Sequence, residues 1–255
     1  MPDSQSGGML TGDNLNGAKR GGGRNGLSLG KAVRALIFMA AFLGLLWVIQ
    51  LANWADSYGL DTSFGIVPHS QSHLADIFTA PFLHFSWQHL EGNSVPLLVL
   101  GFLAAYRGIA KFIAVTVIVV ITSGLAVWMF QSSNELTVGA SGLIFGYFGY
   151  VAVRGLFDRN FVDAIVGALA AVAYAYILAV AIPGTPGVSW IGHAGGLVGG
   201  VLAGWILRTR RGPAVAAKPA PAGVKPAPAG AKPAPAAVSN NPRADLHKEL
   251  DDMGL

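Results

Sequence analysis

Apolar residues fall into six runs separated by short polar breaks: 35–54, 88–106, 112–130, 138–156, 161–182 and 190–207. Each run is about 18–22 residues long, or about 30 Å of α-helix, which is the thickness of a bilayer's hydrocarbon core. None alternates with a period of two, so strands of a membrane barrel are excluded. Buried helices of a soluble bundle would carry a polar outer face, and these runs have none. The pattern predicts an all-α membrane protein of six transmembrane helices. The first run follows a tail too long and polar for a simple secretory signal and has no small-residue cleavage site after it, so it is read as a retained helix.

Polar segments flank the six runs. Residues 1–32 are rich in Gly, Asn and Ser and are expected to be a disordered tail; 33–208 form the membrane domain; 209–255 form a second tail with a Lys/Pro/Ala repeat, extended in character. The last residues of that tail place Leu246, Leu250 and Met253 at helical spacing.

Charge sets the orientation. All 17 Lys and Arg residues lie in or beside the N-terminal tail, the 107–111 and 154–161 turns and the region after Leu207. The segments 55–87, 131–137 and 183–189 hold none, only acids such as Asp56, Asp61, Asp76 and Glu135. This is a positive-inside pattern with both termini cytoplasmic. It accounts for the net charge of +4 without nucleic acid as a partner. Only 12% of residues are charged, and the absence of cysteine removes disulfides, thiolate nucleophiles and cysteine metal sites.

Three polar motifs open the second, fourth and sixth runs: HFSWQHLEGN (His84 to Asn93), VGASG (Val138 to Gly142) and WIGHAGG (Trp190 to Gly196). These runs share a direction, so the motifs share a depth just below the outer face, where polar groups are costly and tend to be functional. Ser141 would stand in the first turn of its helix, where unpaired N–H groups and the helix dipole suit an oxyanion. Gly139 and Gly142 beside it admit a close backbone. The pattern is not the G-x-S-x-G elbow of soluble hydrolases. His193 is its natural base. Gly192, Gly196, Gly200 and Gly204 form one small-residue stripe and Gly195, Gly199 and Ala203 a second, while Gly142 and Gly146 offer a matching face; such stripes let helices nearly touch. No carboxylate is placed for a triad, so a Ser–His dyad is the simpler proposal. His89 and Asn93, four apart on one helix face, are donors able to complete an oxyanion hole with the Ser141 N–H; interhelical hydrogen bonding is the structural alternative.

With these residues in place the chain resembles the rhomboid family. The matching elements are His84, His89-x-x-x-Asn93, Gly139-Ala140-Ser141-Gly142 and Gly192-His193-Ala194-Gly195-Gly196, across roughly Ala35 to Leu207. The resemblance implies a six-helix bundle with a water-filled cavity open to the outside. It implies cofactor-free hydrolysis of peptide bonds in or near the transmembrane segments of other membrane proteins, with His89, Asn93 and the Ser141 amide as the oxyanion hole. It makes the fifth helix a lateral gate beside the second, and the 55–87 segment a partly embedded loop. Phe145, where other members have Tyr, would pack on the catalytic histidine. The expected location is a bacterial plasma membrane, the expected partners are lipid and transmembrane substrates, and no oligomeric state is specified.

Two other functions compete. A metal-dependent membrane protein could draw on His69, His73, His84, His89 and His193, with His69-x-x-x-His73 at helical ligand spacing, but no H-E-x-x-H is present. A non-proteolytic protein that binds membrane clients would not require both Ser141 and His193.

Overall fold

The computed structural model describes residues 28–183 and 187–209. Both expected tails therefore lie almost wholly outside the described residues, the helical spacing of Leu246, Leu250 and Met253 included. Each of the six apolar runs carries a helix. They are α1 (Leu29–Ala55), α3 (Trp87–Ala105), α4 (Ile109–Phe130), α5 (Ser141–Phe157), α6 (Phe161–Ala173) and α7 (Trp190–Ile206), with a short α2 (Gly59–Phe64) after the first. Among the described residues there is no strand, only an isolated antiparallel bridge between Ile66 and Thr137.

Two helices, α1 and α4, are long and apolar enough by length and composition to cross a bilayer, while α5, α6 and α7 are shorter apolar helices. Three boundaries depart from the expected ones. The first helix begins at Leu29, not after residue 32, because the Ser28 carbonyl accepts from the N–H groups of Lys31 and Ala32. The fourth begins at Ser141, because Gly139 at φ +125° turns the chain just before it. The fifth run is broken: α6 covers 13 residues, and after Tyr174 the chain tightens into a 3-10 helix over Ala175–Ala181. Hydropathy does not distinguish the two hydrogen-bonding patterns. Together they still extend for about 34 Å at about 1.5 and 2.0 Å per residue.

α5 is the central helix, with Leu143 through Val151 continuously buried. Its most extensive partner is α7, and α7 in turn packs on α4. The two small-residue stripes of α7 serve these two neighbours. A Cβ on Gly196 or Gly200 would overlap the carbonyl oxygens of Gly142 and Gly146 on α5. A Cβ on Gly195 or Gly199 would instead meet Thr122, Ser123 and Ala126 on α4. The main chains thus approach on two sides of one helix, which only small residues permit. Outward faces are apolar as well: Leu36, Ile37 and Val48 on α1, Ile113 and Val117 on α4, and Val162, Ile165 and Leu169 on α6 are exposed. Hydrophobic inside and out, these helices suit lipid as solvent.

The opposite end of the bundle from Ser141 is tied by charge. Asp163 in the first turn of α6 pairs with Arg154 at 3.1 Å and also with Arg107, and Arg154 donates to the Leu103 carbonyl at 3.2 Å. This network joins α3, α5 and α6, and was not anticipated from the sequence.

Candidate active site

Gly139 is constrained twice. Its φ is in the left-handed region, and a Cβ there would sit 2.7 Å from His89 Cε1 and 2.9 Å from Nε2. Its N–H donates to the Ala80 carbonyl at 2.9 Å, fixing the turn that delivers Ser141 to the start of α5. The N-terminus of α5 has no side-chain cap, so its first N–H groups are not taken up by a capping side chain.

His193 lies in the first turn of α7 and is 5% exposed. The Phe145 ring stacks on it with centroids 4.2 Å apart and planes 12° from parallel. The start of α7 is held by residues that sequence reasoning missed. Ser123 Oγ donates to the Gly192 carbonyl at 2.7 Å. Ser189 accepts from the Gly192 N–H at 3.1 Å and donates to Gln131, whose amide donates to Thr137 at 2.7 Å. The available signal was their polarity: Ser123 interrupts an apolar run, and Gln131 ends it.

His89 and Asn93 project from one face of α3, and Ser86 caps that helix by accepting the His89 N–H at 3.1 Å. Asn93 is buried, and its Nδ2 has no protein hydrogen-bond partner among the described residues. His84 is fully buried; its Nε2 accepts from the Ala140 N–H at 3.4 Å, long for such a bond, and its ring stands edge-on to His89 at 5.0 Å. Burial, and after it the neighbouring His89, pushes the His84 pKa down to about 3, so the ring is neutral and free to accept.

Ser141, His193, His89, Asn93 and Phe145 all line one cavity of about 760 Å³. Its remaining walls include Pro96 of α3 and Tyr176 and Ile177 of the 3-10 segment after α6. Glu91 is not part of the wall; Glu135, exposed in the loop before α5, is. Chemically, the cavity presents a hydroxyl at a helix N-terminus, an imidazole held flat against a ring, and an unspent amide donor.

Of the histidines of the metal alternative, His84 and His89 meet ring to ring and His89 shares the cavity with His193, but His69 and His73 are engaged elsewhere. His69 sits in a turn, its ring nitrogens 3.1 Å from Ser133 Oγ and the Met129 carbonyl, before the helical segment that begins at Gln71. His73 instead pairs with Asp76 at 2.6 Å. Among the described residues no group of three His, Cys, Asp or Glu side chains comes together as a metal site.

An all-helical bundle, apolar on both faces, with a cavity between α3, α5 and α7 that holds a few polar side chains, defines an integral membrane protein. The rhomboid domain matches residues 71–210, more than half of the chain, and the chain belongs to the rhomboid family, whose members act on membrane proteins within the bilayer. Similar proteins occur in mycobacteria. Uncharacterised proteins of Mycobacterium bovis and Mycobacterium tuberculosis are each 38% identical over 189 residues, covering 71% of this chain and 78% of the relative. One of Mycobacterium leprae is 38% identical over 179 residues, covering 67% and 70%.

Proposed function

We propose that this protein is an intramembrane serine endopeptidase that cuts peptide bonds in or near the transmembrane segments of other membrane proteins. In this reading all six apolar runs span a bacterial plasma membrane, both termini are cytoplasmic, and the cavity opens to the outside. His193 takes the proton of Ser141 Oγ as that oxygen attacks the scissile carbonyl carbon. The tetrahedral oxyanion receives hydrogen bonds from the Ser141 N–H, His89 and the Asn93 amide. The C–N bond then breaks, His193 returns the proton to the leaving amine, and water releases the acyl group by the same sequence.

The supporting observation is that Ser141 and His193 line one cavity while their helices meet backbone to backbone one residue beyond Ser141 and three beyond His193. The unpartnered Asn93 donor in the same wall is what an oxyanion hole requires before substrate arrives. The test is labelling with a fluorophosphonate together with cleavage of a panel of single-span membrane proteins. Wild type should be labelled at Ser141 and cut at least one substrate, with both lost in Ser141→Ala and His193→Ala. Labelling elsewhere, or labelling that persists without His193, refutes the dyad. Binding of clients without cleavage would assign a non-proteolytic role.

A further inference from the structure

We infer that Asn53 and Asp61, at the far end of α1 and in α2, are positioning residues for the Ser141 site and act on it through His84. The inference rests on the reading of Ser141 as nucleophile.

Asn53 lies near the end of an apolar helix and is fully buried, as is nearly all of Asp61. A buried amide and a buried carboxyl are both costly unless hydrogen-bonded. Here one group serves two acceptors: Asn53 Nδ2 donates to Asp61 Oδ1 at 2.9 Å and to the main-chain carbonyl of His84 at 3.3 Å. Asp61 thereby orients the Asn53 amide, and the amide holds the backbone of His84.

From His84 the connection reaches the site at two points. Its Nε2 accepts the N–H of Ala140, the N-cap of the helix that begins with Ser141. Its ring abuts His89 edge-on. One point fixes the backbone whose N–H groups face the developing oxyanion, and the other fixes a proposed side-chain donor to it. Releasing the His84 carbonyl would loosen both together. Neither Asn53 nor Asp61 lines the cavity, so neither touches substrate.

The experiment uses the full chain in detergent and measures three quantities: the rate constant for fluorophosphonate labelling of Ser141 per folded molecule, kcat and KM on a single-span substrate, and the melting temperature. Asn53→Leu keeps the approximate shape and deletes the donor. It should slow labelling and kcat by about tenfold with KM changed by less than about twofold, because misplaced catalytic groups lose transition-state contacts while the binding cavity is intact. Asp61→Asn retains an oxygen acceptor for Asn53 and should stay close to wild type, whereas Asp61→Leu should be slow. If Asn53→Leu does not fold, Asp61→Leu is judged by the same criteria. Wild-type labelling per folded molecule in Asn53→Leu overturns the inference, as does an Asp61→Asn variant as slow as Asp61→Leu. A wild-type protein that is not labelled at Ser141 refutes the nucleophile reading itself; a labelled wild type beside an unaffected Asn53→Leu refutes only the positioning role.

Discussion

Adding a single methyl group to α7 tests the close crossing on which the proposed dyad depends. In Gly196→Ala the new Cβ would overlap the Gly142 carbonyl oxygen and approach the Gly142 carbonyl carbon to 3.0 Å and its Cα to 3.3 Å. These are main-chain atoms in the middle of a packed interface, so no side chain can rotate away. Restoring ordinary carbon contacts of about 3.5–4.0 Å requires the helices to part by about 1 Å. Overpacking of this kind costs about 1–3 kcal/mol, or roughly 2–12 °C in melting temperature for a domain of this size. Ser141 precedes Gly142 by one residue and His193 precedes Gly196 by three, so the separation passes directly to the reacting atoms. A misplacement of about 1 Å is worth about 100-fold in rate. The assay is fluorophosphonate labelling per folded molecule, measured beside a thermal melt. Two glycines serve as controls. Gly204→Ala meets only side chains, Val153 at 3.0 Å and Phe157 at 3.5 Å, and should be mild. Gly44→Ala meets nothing within 4 Å and should be neutral or stabilised by up to about 1 kcal/mol through helix propensity. A Gly196→Ala protein that labels like wild type, or a Gly204→Ala protein equally impaired, would show that this crossing does not set the geometry of the site.

Asn93→Ala should lower kcat by about 10²–10³-fold and leave the melting temperature nearly unchanged, because the lost Nδ2 donor holds no protein group among the described residues; a melt that drops in step with activity would return Asn93 to a structural role. Asp163→Ala should do the reverse. It strands Arg154, which is buried, together with Arg107, at a cost of about 3–5 kcal/mol seen in the melt, while the folded fraction labels at the wild-type rate.

The legible parts of the sequence were those with a period or a motif. Hydropathy located α1 and α3 to α7, since each rests on an apolar run whatever it packs against. The glycine stripes of α7 announced a close crossing with the helix that carries Gly142 and Gly146, and α5 is that helix; the second close neighbour, α4, shows only in the fold. What escaped was set by single hydrogen bonds across long stretches of chain. Asp163 reads as an ordinary acid in a first helical turn, and only the fold brings Arg107 and Arg154 to it. Asn53 reads as the polar end of an apolar run, and its two acceptors are supplied by other segments. Ser123 is small enough to pass as packing filler until its hydroxyl is seen on the Gly192 carbonyl. The change from α to 3-10 after Tyr174 leaves the apolar composition untouched and so leaves no mark in it.

The bridge between Ile66 and Thr137 carries a different kind of consequence. It consists of two main-chain bonds, Ile66 N–H to the Thr137 carbonyl at 3.0 Å and Thr137 N–H to the Ile66 carbonyl at 3.1 Å, and Gly139 adds a third to Ala80. Side chains take no part in any of them. Positions 66 and 137 can therefore change their side chains over evolutionary time and still hold the turn that carries Ser141, provided that proline replaces neither donor, whereas 139 stays glycine for its φ and its approach to His89. Two relatives could share the bridge with no residue in common at 66 and 137, and a comparison of their sequences there would give no sign of it.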